Sequence, residues 1–161
     1  MTIYTIGYQM RDIDAFIKLL SENGVGTLVD VRETPWSHRP GFSRRALEEA
    51  LSQAGIDYHH AKFAGNPKSL RRSAASHEEC LNDYGAYLKV NPKIVCDFDE
   101  LVLQLMHEGS SICLVCYERH PGDCHRNVLL KTWMKTMRRK HPIIHLGCEG
   151  AKRFTSIKAV A

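Results

Sequence analysis

Residues 111–126 constrain the fold more than any other part of this sequence. They open with an unbroken apolar run, Ile112 to Tyr117, whose length suits a single strand. A strand that is apolar at every position has both faces covered, which is typical of parallel sheets flanked by helices. Polar residues then follow from Glu118 and surround the turn pair Pro121-Gly122. The stretch therefore predicts a buried strand, a polar turn and the start of a helix.

Strand-like and helix-like segments alternate along the whole chain. The predicted strands are 2–8, 27–31, 56–59, 111–117 and 141–146. The predicted helices are 13–23, 44–54, 77–89, 92–107 and 124–139, with an exposed loop expected at 60–76. This alternation predicts a single α/β domain over residues 1–147 and a C-terminal tail at 148–161. Its sheet is expected to be mostly parallel, with about five strands and helices on both faces.

The composition is that of an ordinary globular protein. Of 161 residues, 43% are hydrophobic and 25% are charged, and the net charge of +4 permits a nucleic-acid or phosphate partner without demanding one. No signal peptide or membrane-spanning run is recognisable. We therefore expect a cytoplasmic protein with no membrane partner, in which the six scattered cysteines are reduced. The sequence identifies no cofactor and does not indicate the oligomeric state.

Polar residues follow several of the predicted strands, where open α/β sheets bind ligands. Asp30 and Arg32 end the second strand and alternate along it, so that their side chains share a face. They form either an ion pair that shapes the loop, or a site in which Arg32 grips an anion and Asp30 acts as a base. Glu118 is either a general acid or base with a raised pKa, or a partner for an arginine.

The helix that begins at Cys124 is a second candidate site. Asp123 is its expected N-cap, and Cys124, His125 and Arg126 form its first turn. The free amides of a helix start favour an anion and lower the pKa of a thiol. Cys124 is therefore a candidate nucleophile, the turn is a candidate phosphate or carboxylate site, and a simply buried cysteine is the third alternative.

The sequence lacks the motifs of several known kinds of site. Cys113 and Cys116 are three apart on a strand and point to opposite faces, so they do not share a zinc ion, and we expect no metal site. Neither Cys116 nor Cys124 is followed six positions later by the arginine that a phosphatase loop needs. The first strand is not followed by a phosphate-binding glycine motif.

Motifs along nearly the whole chain resemble a known family. They are Thr5-Ile6-Gly7-Tyr8, Val29-Asp30-Val31-Arg32, Ile56-Asp57-Tyr58, Leu114 to Glu118, His120-Pro121, Cys124-His125-Arg126 and Pro142 to Leu146. Together they are similar to the family catalogued as domain of unknown function 488, over roughly residues 2–147.

The resemblance implies a Rossmann-like α/β domain and no established reaction. By motif match, the signature polar positions are Asp30, Arg32, Cys116, Glu118, Cys124, His125 and Arg126. Phe63-Ala64-Gly65, in the ligand-facing loop at 61–76, departs from the Leu-Gly-Gly that the family pattern leads us to expect.

The leading functional hypothesis is an enzyme that acts on a phosphate-bearing ligand, a nucleotide or nucleic acid, as a hydrolase or transferase. The candidate catalytic residues are Glu118, Asp30, Cys124 and His125, and the candidate binding residues are Arg32, Arg126, Tyr8, His60 and Arg39. The alternative is a non-catalytic module that binds nucleic acid or a small anion through basic pairs such as Arg44-Arg45 and Arg71-Arg72, with base stacking on Trp36, Phe42 and Tyr58. A third interpretation is that the polar cluster only ties the strand ends together.

Overall fold

Five parallel strands form one sheet in the computed structural model, which describes residues 2–148. They are β1 (Ile3–Gly7), β2 (Thr27–Asp30), β3 (Asp57–His60), β4 (Ile112–Cys116) and β5 (Ile143–His145). Their spatial order is β3-β2-β4-β1-β5, which the sequence could not reveal. The predicted α/β class and the five-stranded sheet are confirmed, and every strand pair is parallel.

Helices cover both faces of this sheet, as predicted. They are α1 (Ile13–Glu22), α2 (Arg44–Gln53), α3 (Lys68–Ser73), α4 (His77–Val90), α5 (Pro92–His107) and α6 (His125–Thr136). Two helix starts have the caps that their sequence suggests. Asp12 accepts a hydrogen bond from the backbone N–H of Ala15, and Pro92 occupies the first turn of α5.

The central strand β4 separates two hydrophobic cores. Cys113 and Val115 face the core that contains Phe16 of α1 and Leu47 of α2. Leu114 and Cys116 face the opposite core, which contains Tyr84, Phe98 and Trp133 from α4, α5 and α6. Because residues alternate across a strand, the two thiols lie on opposite sides of the sheet, as the sequence indicated.

The register brings the carboxyl ends of the central strands to one level. Asp30 pairs with Val115, and Gly7 pairs with Cys116. Because neighbouring parallel strands run in the same direction, the residues that follow them lie at the same edge of the sheet. The segments after β1, β2 and β4 therefore meet above the sheet.

Three local expectations for the segments around the cleft were wrong. Asp123 lies in a short 3₁₀ turn (Pro121–Asp123), and Cys124 is the N-cap of α6 without a capping hydrogen bond from its side chain. The third strand is Asp57–His60, one residue later than predicted. Residues 60–76 are not simply a loop, because they contain a 3₁₀ turn (Lys62–Ala64) and the short helix α3.

The segment Phe63-Ala64-Gly65, which departs from the family pattern, packs closely against neighbouring parts of the chain. Ala64 is fully buried, and its carbonyl accepts a hydrogen bond from the Tyr84 hydroxyl at 2.7 Å. A Cβ at Gly65 would lie only 2.4 Å from the backbone nitrogen of Glu33. The glycine therefore allows this segment to approach the chain that follows β2.

None of the helices in residues 2–148 is long and apolar enough to cross a membrane. All six cysteines are unpaired. The predicted C-terminal tail, apart from Cys148, lies outside the described residues.

Candidate functional site

An open cleft of about 410 Å³ lies above the carboxyl ends of β2 and β4. Its walls come from the segment 32–39 after β2, from the segment 116–118 at the end of β4, and from Tyr8, Asn66, Arg71 and His125. A second hollow towards α3 and α4 shares Asn66, Arg71, Glu118 and His125 with the first. The two hollows are therefore adjacent, and they lie at the edge of the sheet where the sequence predicted a site.

Asp30 and Arg32 form a buried ion pair at the back of the cleft. Both Nε and Nη2 of Arg32 donate to the Asp30 carboxylate, which also accepts from the Tyr58 hydroxyl at 2.8 Å. Asp30 is fully buried, and Arg32 is 6% exposed. This geometry is the ion pair that the sequence left as one alternative. Arg32 lines the cleft, whereas Asp30 is held behind it.

Four side chains from β4, the following turn and the start of α6 converge at the cleft floor, where three of them line the cleft and Cys124 lies buried behind it. They are Cys116, Glu118, Cys124 and His125, and one ligand atom from each lies within 4.8 Å of the others. The Cys116 Sγ atom is 3.4 Å from Glu118 Oε2 and 3.5 Å from His125 Nδ1. Thiol, carboxylate and imidazole are all groups that ligate metals. Three of them are buried, and Glu118 is partly exposed.

The pKa values of Glu118 and Cys124 move in directions opposite to those expected. Burial alone would raise the pKa of Glu118, but hydrogen bonds from the Cys124 thiol, its own backbone N–H and the Cys116 thiol, together with the nearby His125 ring, lower it. Burial, aided by hydrogen bonding with Cys116, raises the pKa of Cys124 well above its usual value. The helix start and Arg126 do not overcome this burial. Cys124 is also only 1% exposed, so a nucleophilic thiol has little support.

His125 is fixed by two neighbours. Its Nε2 donates to the carbonyl of Val31 at 2.8 Å, which directs Nδ1 towards Cys116. Burial lowers the pKa of His125, but the hydrogen bonds with Cys124 and with Val31 outweigh burial and raise it. The imidazole is therefore held in one orientation at the cleft floor.

Arg126 does not reach the cleft. Its guanidinium is fully buried and donates to the carbonyls of Glu118 and Arg119 at 2.6 and 3.2 Å. It ties the β4–α6 turn to the helix, and it is not among the residues that line the cleft. An anion in the cleft would not contact Arg126 in this conformation, contrary to the sequence-based expectation.

Of the remaining predicted binding residues, Tyr8 and Arg39 line the cleft and His60 does not. Tyr8 lines the cleft, stacks on Phe42 with a centroid distance of 4.4 Å, and accepts a hydrogen bond from Arg32. His60 lies behind the cleft, where its Nε2 is 2.8 Å from the Arg32 carbonyl. Arg39 lines the cleft and donates from Nη2 to the carbonyl of Arg11, but its buried Nε atom has no hydrogen-bond partner.

Sequence reasoning missed Arg71 and Asn66 as cleft residues, and it named Cys116 only by motif match, not as a catalytic or binding residue. Cys116 could have been found, because Cys116 and Glu118 are two apart at the end of an extended strand and so share a side. Arg71 and Asn66 carry no such signal. They come from the segment 60–76, whose fold over the sheet edge is a tertiary feature.

Comparisons with known proteins identify the family of this chain but no activity. Residues 12–133 match the model of the family described as "Domain of unknown function DUF488". No curated protein matches the sequence. One solved structure, described as "Putative phosphatase (DUF442)" from Shewanella putrefaciens CN-32, is 13% identical and has a TM-score of 0.40. The alignment covers 84% of this chain and spans 64% of that one.

Proposed function

Because the chain belongs to the DUF488 family, whose description assigns no reaction, we propose a function from the cleft itself. The protein is an enzyme that acts on a phosphate-bearing ligand, such as a nucleotide, as a hydrolase or transferase. The observation that carries the proposal is the pairing of cationic donors on the cleft wall with a cluster of carboxylate, imidazole and thiol groups on its floor.

The arginines of the cleft differ in whether a carboxylate forms an ion pair with them. Arg32 is paired with Asp30, and Arg71 is paired with Glu33 at 2.8 Å. Within residues 2–148, no carboxylate forms an ion pair with Arg39, and its Nε–H is unpartnered. A buried N–H without a partner is costly unless something accepts from it. A phosphate oxygen is an acceptor suited to a guanidinium, so Arg39 is the proposed anion contact.

The floor supplies the proposed chemistry. Glu118 is partly exposed, lines both hollows, and is the carboxylate proposed to exchange a proton with the substrate. His125 is proposed to assist from beside it. Asp30 acts through Arg32 as a positioning residue, because it has no exposed surface.

A comparison of two arginine variants tests the proposal. Arg39→Gln removes the unpaired cation of the cleft, whereas Arg72→Gln removes an exposed cation on α3 that lies outside the cleft lining. Calorimetry with a panel of nucleoside mono-, di- and triphosphates measures binding, and phosphate release and chromatography measure turnover. We expect Arg39→Gln to weaken binding by at least about tenfold, or about 1.4 kcal/mol, and Arg72→Gln to leave it unchanged. Equal behaviour of the two variants, or no binding across the panel, would contradict the proposal.

A nucleic-acid-binding module is the second candidate, and Trp36 favours it. Its indole is 60% exposed at the cleft and packs edge-on against His38 at 4.1 Å. Exposed aromatic rings stack on bases in single strands. Arg44 and Arg45 at the start of α2 are also exposed.

Salt dependence separates the two candidates. A module that binds through many phosphates loses affinity for single-stranded RNA or DNA steeply as salt rises, with no turnover. Trp36→Ala would then weaken binding at every salt concentration. A small-ligand enzyme shows a shallow salt slope together with turnover. For either function we also propose a cytoplasmic location, which the six unpaired cysteines support.

A further inference from the structure

We propose that Cys116, Cys124, His125 and Glu118 bind a zinc ion at the floor of the cleft. The site differs from the Cys113-x-x-Cys116 pair that strand geometry excludes, because Cys113 faces the opposite core. The inference goes beyond the proposed function and does not depend on it, since metal binding can be measured without any substrate.

The distances from Cys116 to Glu118 and to His125 suit tetrahedral coordination. Zinc binds sulfur at about 2.3 Å and nitrogen or oxygen at about 2.0–2.2 Å, so neighbouring ligand atoms lie about 3.3–3.8 Å apart. Cys116 Sγ is 3.4 Å from the Glu118 carboxylate and 3.5 Å from the His125 ring nitrogen. The Cys124 thiol completes the set within 4.8 Å. Only small side-chain movements are needed to close these atoms around one ion.

The orientation of His125 is a second observation that points to a metal. A carbonyl oxygen can only accept a hydrogen bond, so the 2.8 Å contact with Val31 places the proton of the neutral ring on Nε2. The lone pair of Nδ1 then faces Cys116. Histidines that ligate metals are usually held in this way, with the other ring N–H donated to a carbonyl or carboxylate. The His125 ring therefore has the orientation of a histidine that ligates a metal.

The chemistry of the donors selects the metal. Two thiols, one imidazole and one carboxylate are typical zinc ligands and are poor ligands for Mg²⁺ or Ca²⁺. Binding converts both thiols to thiolates and releases two protons. Cys116, Glu118 and His125 line the cleft, which gives the ion a path of entry.

Glu118 is the ligand best placed to exchange. It is the one partly exposed member of the set, whereas Cys116, Cys124 and His125 are buried. A set of two cysteines and one histidine, with a fourth position open to solvent, is the ligand pattern of catalytic zinc sites. Displacement of Glu118 by a substrate oxygen would leave its carboxylate beside the ion, where it could take up a proton.

Metal content and cobalt spectroscopy of the full chain test the site. The tag-free protein, purified under reducing conditions from cells grown with zinc, should contain about one zinc per chain by elemental analysis. After removal of the zinc with a chelator, Co²⁺ should restore a near-ultraviolet thiolate-to-cobalt charge-transfer band and the visible bands of tetrahedral Co²⁺. Zinc added to the cobalt form should abolish both.

Variants assign the ligands. Cys124→Ser and Cys116→Ser should lower zinc affinity by at least about 100-fold, and Glu118→Gln should keep the thiolate band with altered visible bands. The matched control is Cys113→Ala, which removes a buried thiol from the same strand on the other face, and we expect it to bind zinc as the unchanged chain does. If a ligand variant does not fold, the cobalt spectrum of the unchanged chain still decides. Absence of zinc and of the charge-transfer band in that chain, or unchanged affinity in folded Cys124→Ser, would overturn the proposal.

Discussion

Gly7, the last residue of β1, lies directly against the backbone of the chain that follows β4. An ideal Cβ at this position would be 1.8 Å from the Glu118 carbonyl oxygen and 2.8 Å from the Arg119 Cα. Both are backbone atoms, and the same Glu118 carbonyl accepts a hydrogen bond from buried Arg126. The absence of a side chain at Gly7 therefore sets the position of the turn that carries Glu118.

Gly7→Ala is expected to destabilise the protein by about 3 kcal/mol, because the backbone cannot move aside without breaking the Arg126 contacts. Urea denaturation followed by circular dichroism measures the change. Gly85→Ala is the matched control, since its Cβ would meet only Val128 Cγ1 at 3.5 Å, an ordinary contact. Within helix α4 that substitution should be neutral or stabilising by up to about 1 kcal/mol. Equal losses in the two variants would show that crowding at Gly7 is not the cause.

His145 gives a pH-dependent prediction. Its ring is buried at the end of β5, with Nδ1 2.7 Å from the Thr5 hydroxyl. Burial, with the positive charge of Arg126 and the nearby His120 and Lys131, lowers the pKa of His145 to about 4. The unfolded chain therefore takes up this proton near pH 6.5, and the folded chain does so only near pH 4.

Stability should consequently fall as the pH decreases from 6.5 to 4, and His145 should contribute about 1–3 kcal/mol of that loss. His145→Asn keeps a hydrogen-bonding side chain near Thr5 and removes the titration. Free energies of unfolding measured at pH 7 and pH 4.5 should then differ less than in the unchanged chain. His107→Gln, an exposed change at the end of α5, should leave that difference as it was. A pH dependence that is the same with and without His145 would refute the assignment.

Strand-end patterns predicted which residues meet but not what they do. Asp30 and Arg32 meet because they alternate along one strand, and Glu118 reaches the cleft because it follows a buried strand. The role of Arg126 could not be predicted, because its guanidinium donates to two backbone carbonyls that come close to it only in the folded turn. The pKa of Cys124 is raised by burial, and the position of a cysteine at a helix start does not reveal how deeply its thiol is buried.

Helices α5 and α6 are joined by a buried polar contact. Asp99 of α5 accepts a hydrogen bond from the indole N–H of Trp133 in α6 at 2.8 Å and is paired with Arg139 just beyond that helix. Asp99 is 5% exposed, and Trp133 is fully buried. The hydrogen bond from Arg139, together with that from Trp133, lowers the pKa of Asp99 against the effect of its burial. The contact fixes the end of α6 relative to α5.

Asp99→Ala should destabilise the protein by about 1–3 kcal/mol, because it leaves a buried indole N–H without an acceptor. Asp99→Asn should cost less, since an amide oxygen can still accept from Trp133. Thermal unfolding monitored by circular dichroism measures both. Asp97→Ala is the control on the same helix, because it removes only an exposed contact with Lys93, and it should not shift the midpoint measurably. A loss as large for Asp97→Ala as for Asp99→Ala would argue against this role.

Element boundaries were predictable where local chemistry sets them. Asp12 caps α1, and Pro92 begins α5, because a capping side chain and a proline act on their own turn. The start of α6 was predicted one residue early, because Pro121 and Gly122 form a 3₁₀ turn that includes Asp123. Helix α3 was missed because six residues with two adjacent arginines show no amphipathic period.

The whole molecule depends on a sheet whose central strands contribute side chains to both cores, and β4 lies at its centre. Every residue of β4 is buried, and the strand pairs with β1 on one side and β2 on the other. Its alternating side chains contact both hydrophobic clusters. Neither core can unfold without exposing the other face of this strand, so we expect one cooperative transition. The continuous apolar run predicted such a strand, but its central place in the sheet depends on crossovers that no local pattern encodes.

Leu47→Ala tests this coupling from the far side of the sheet. Leu47 is fully buried in α2, in the core opposite to Trp133. Its truncation should lower the free energy of unfolding by about 2–5 kcal/mol. The chain has two tryptophans, so in a Trp36→Phe background the fluorescence reports Trp133 alone. If the molecule unfolds as one unit, the Trp133 transition shifts in urea by the same amount as the circular dichroism signal, although α2 and Trp133 lie on opposite faces. A Trp133 midpoint that stays in place while the circular dichroism transition splits would show that the sheet does not couple the two cores.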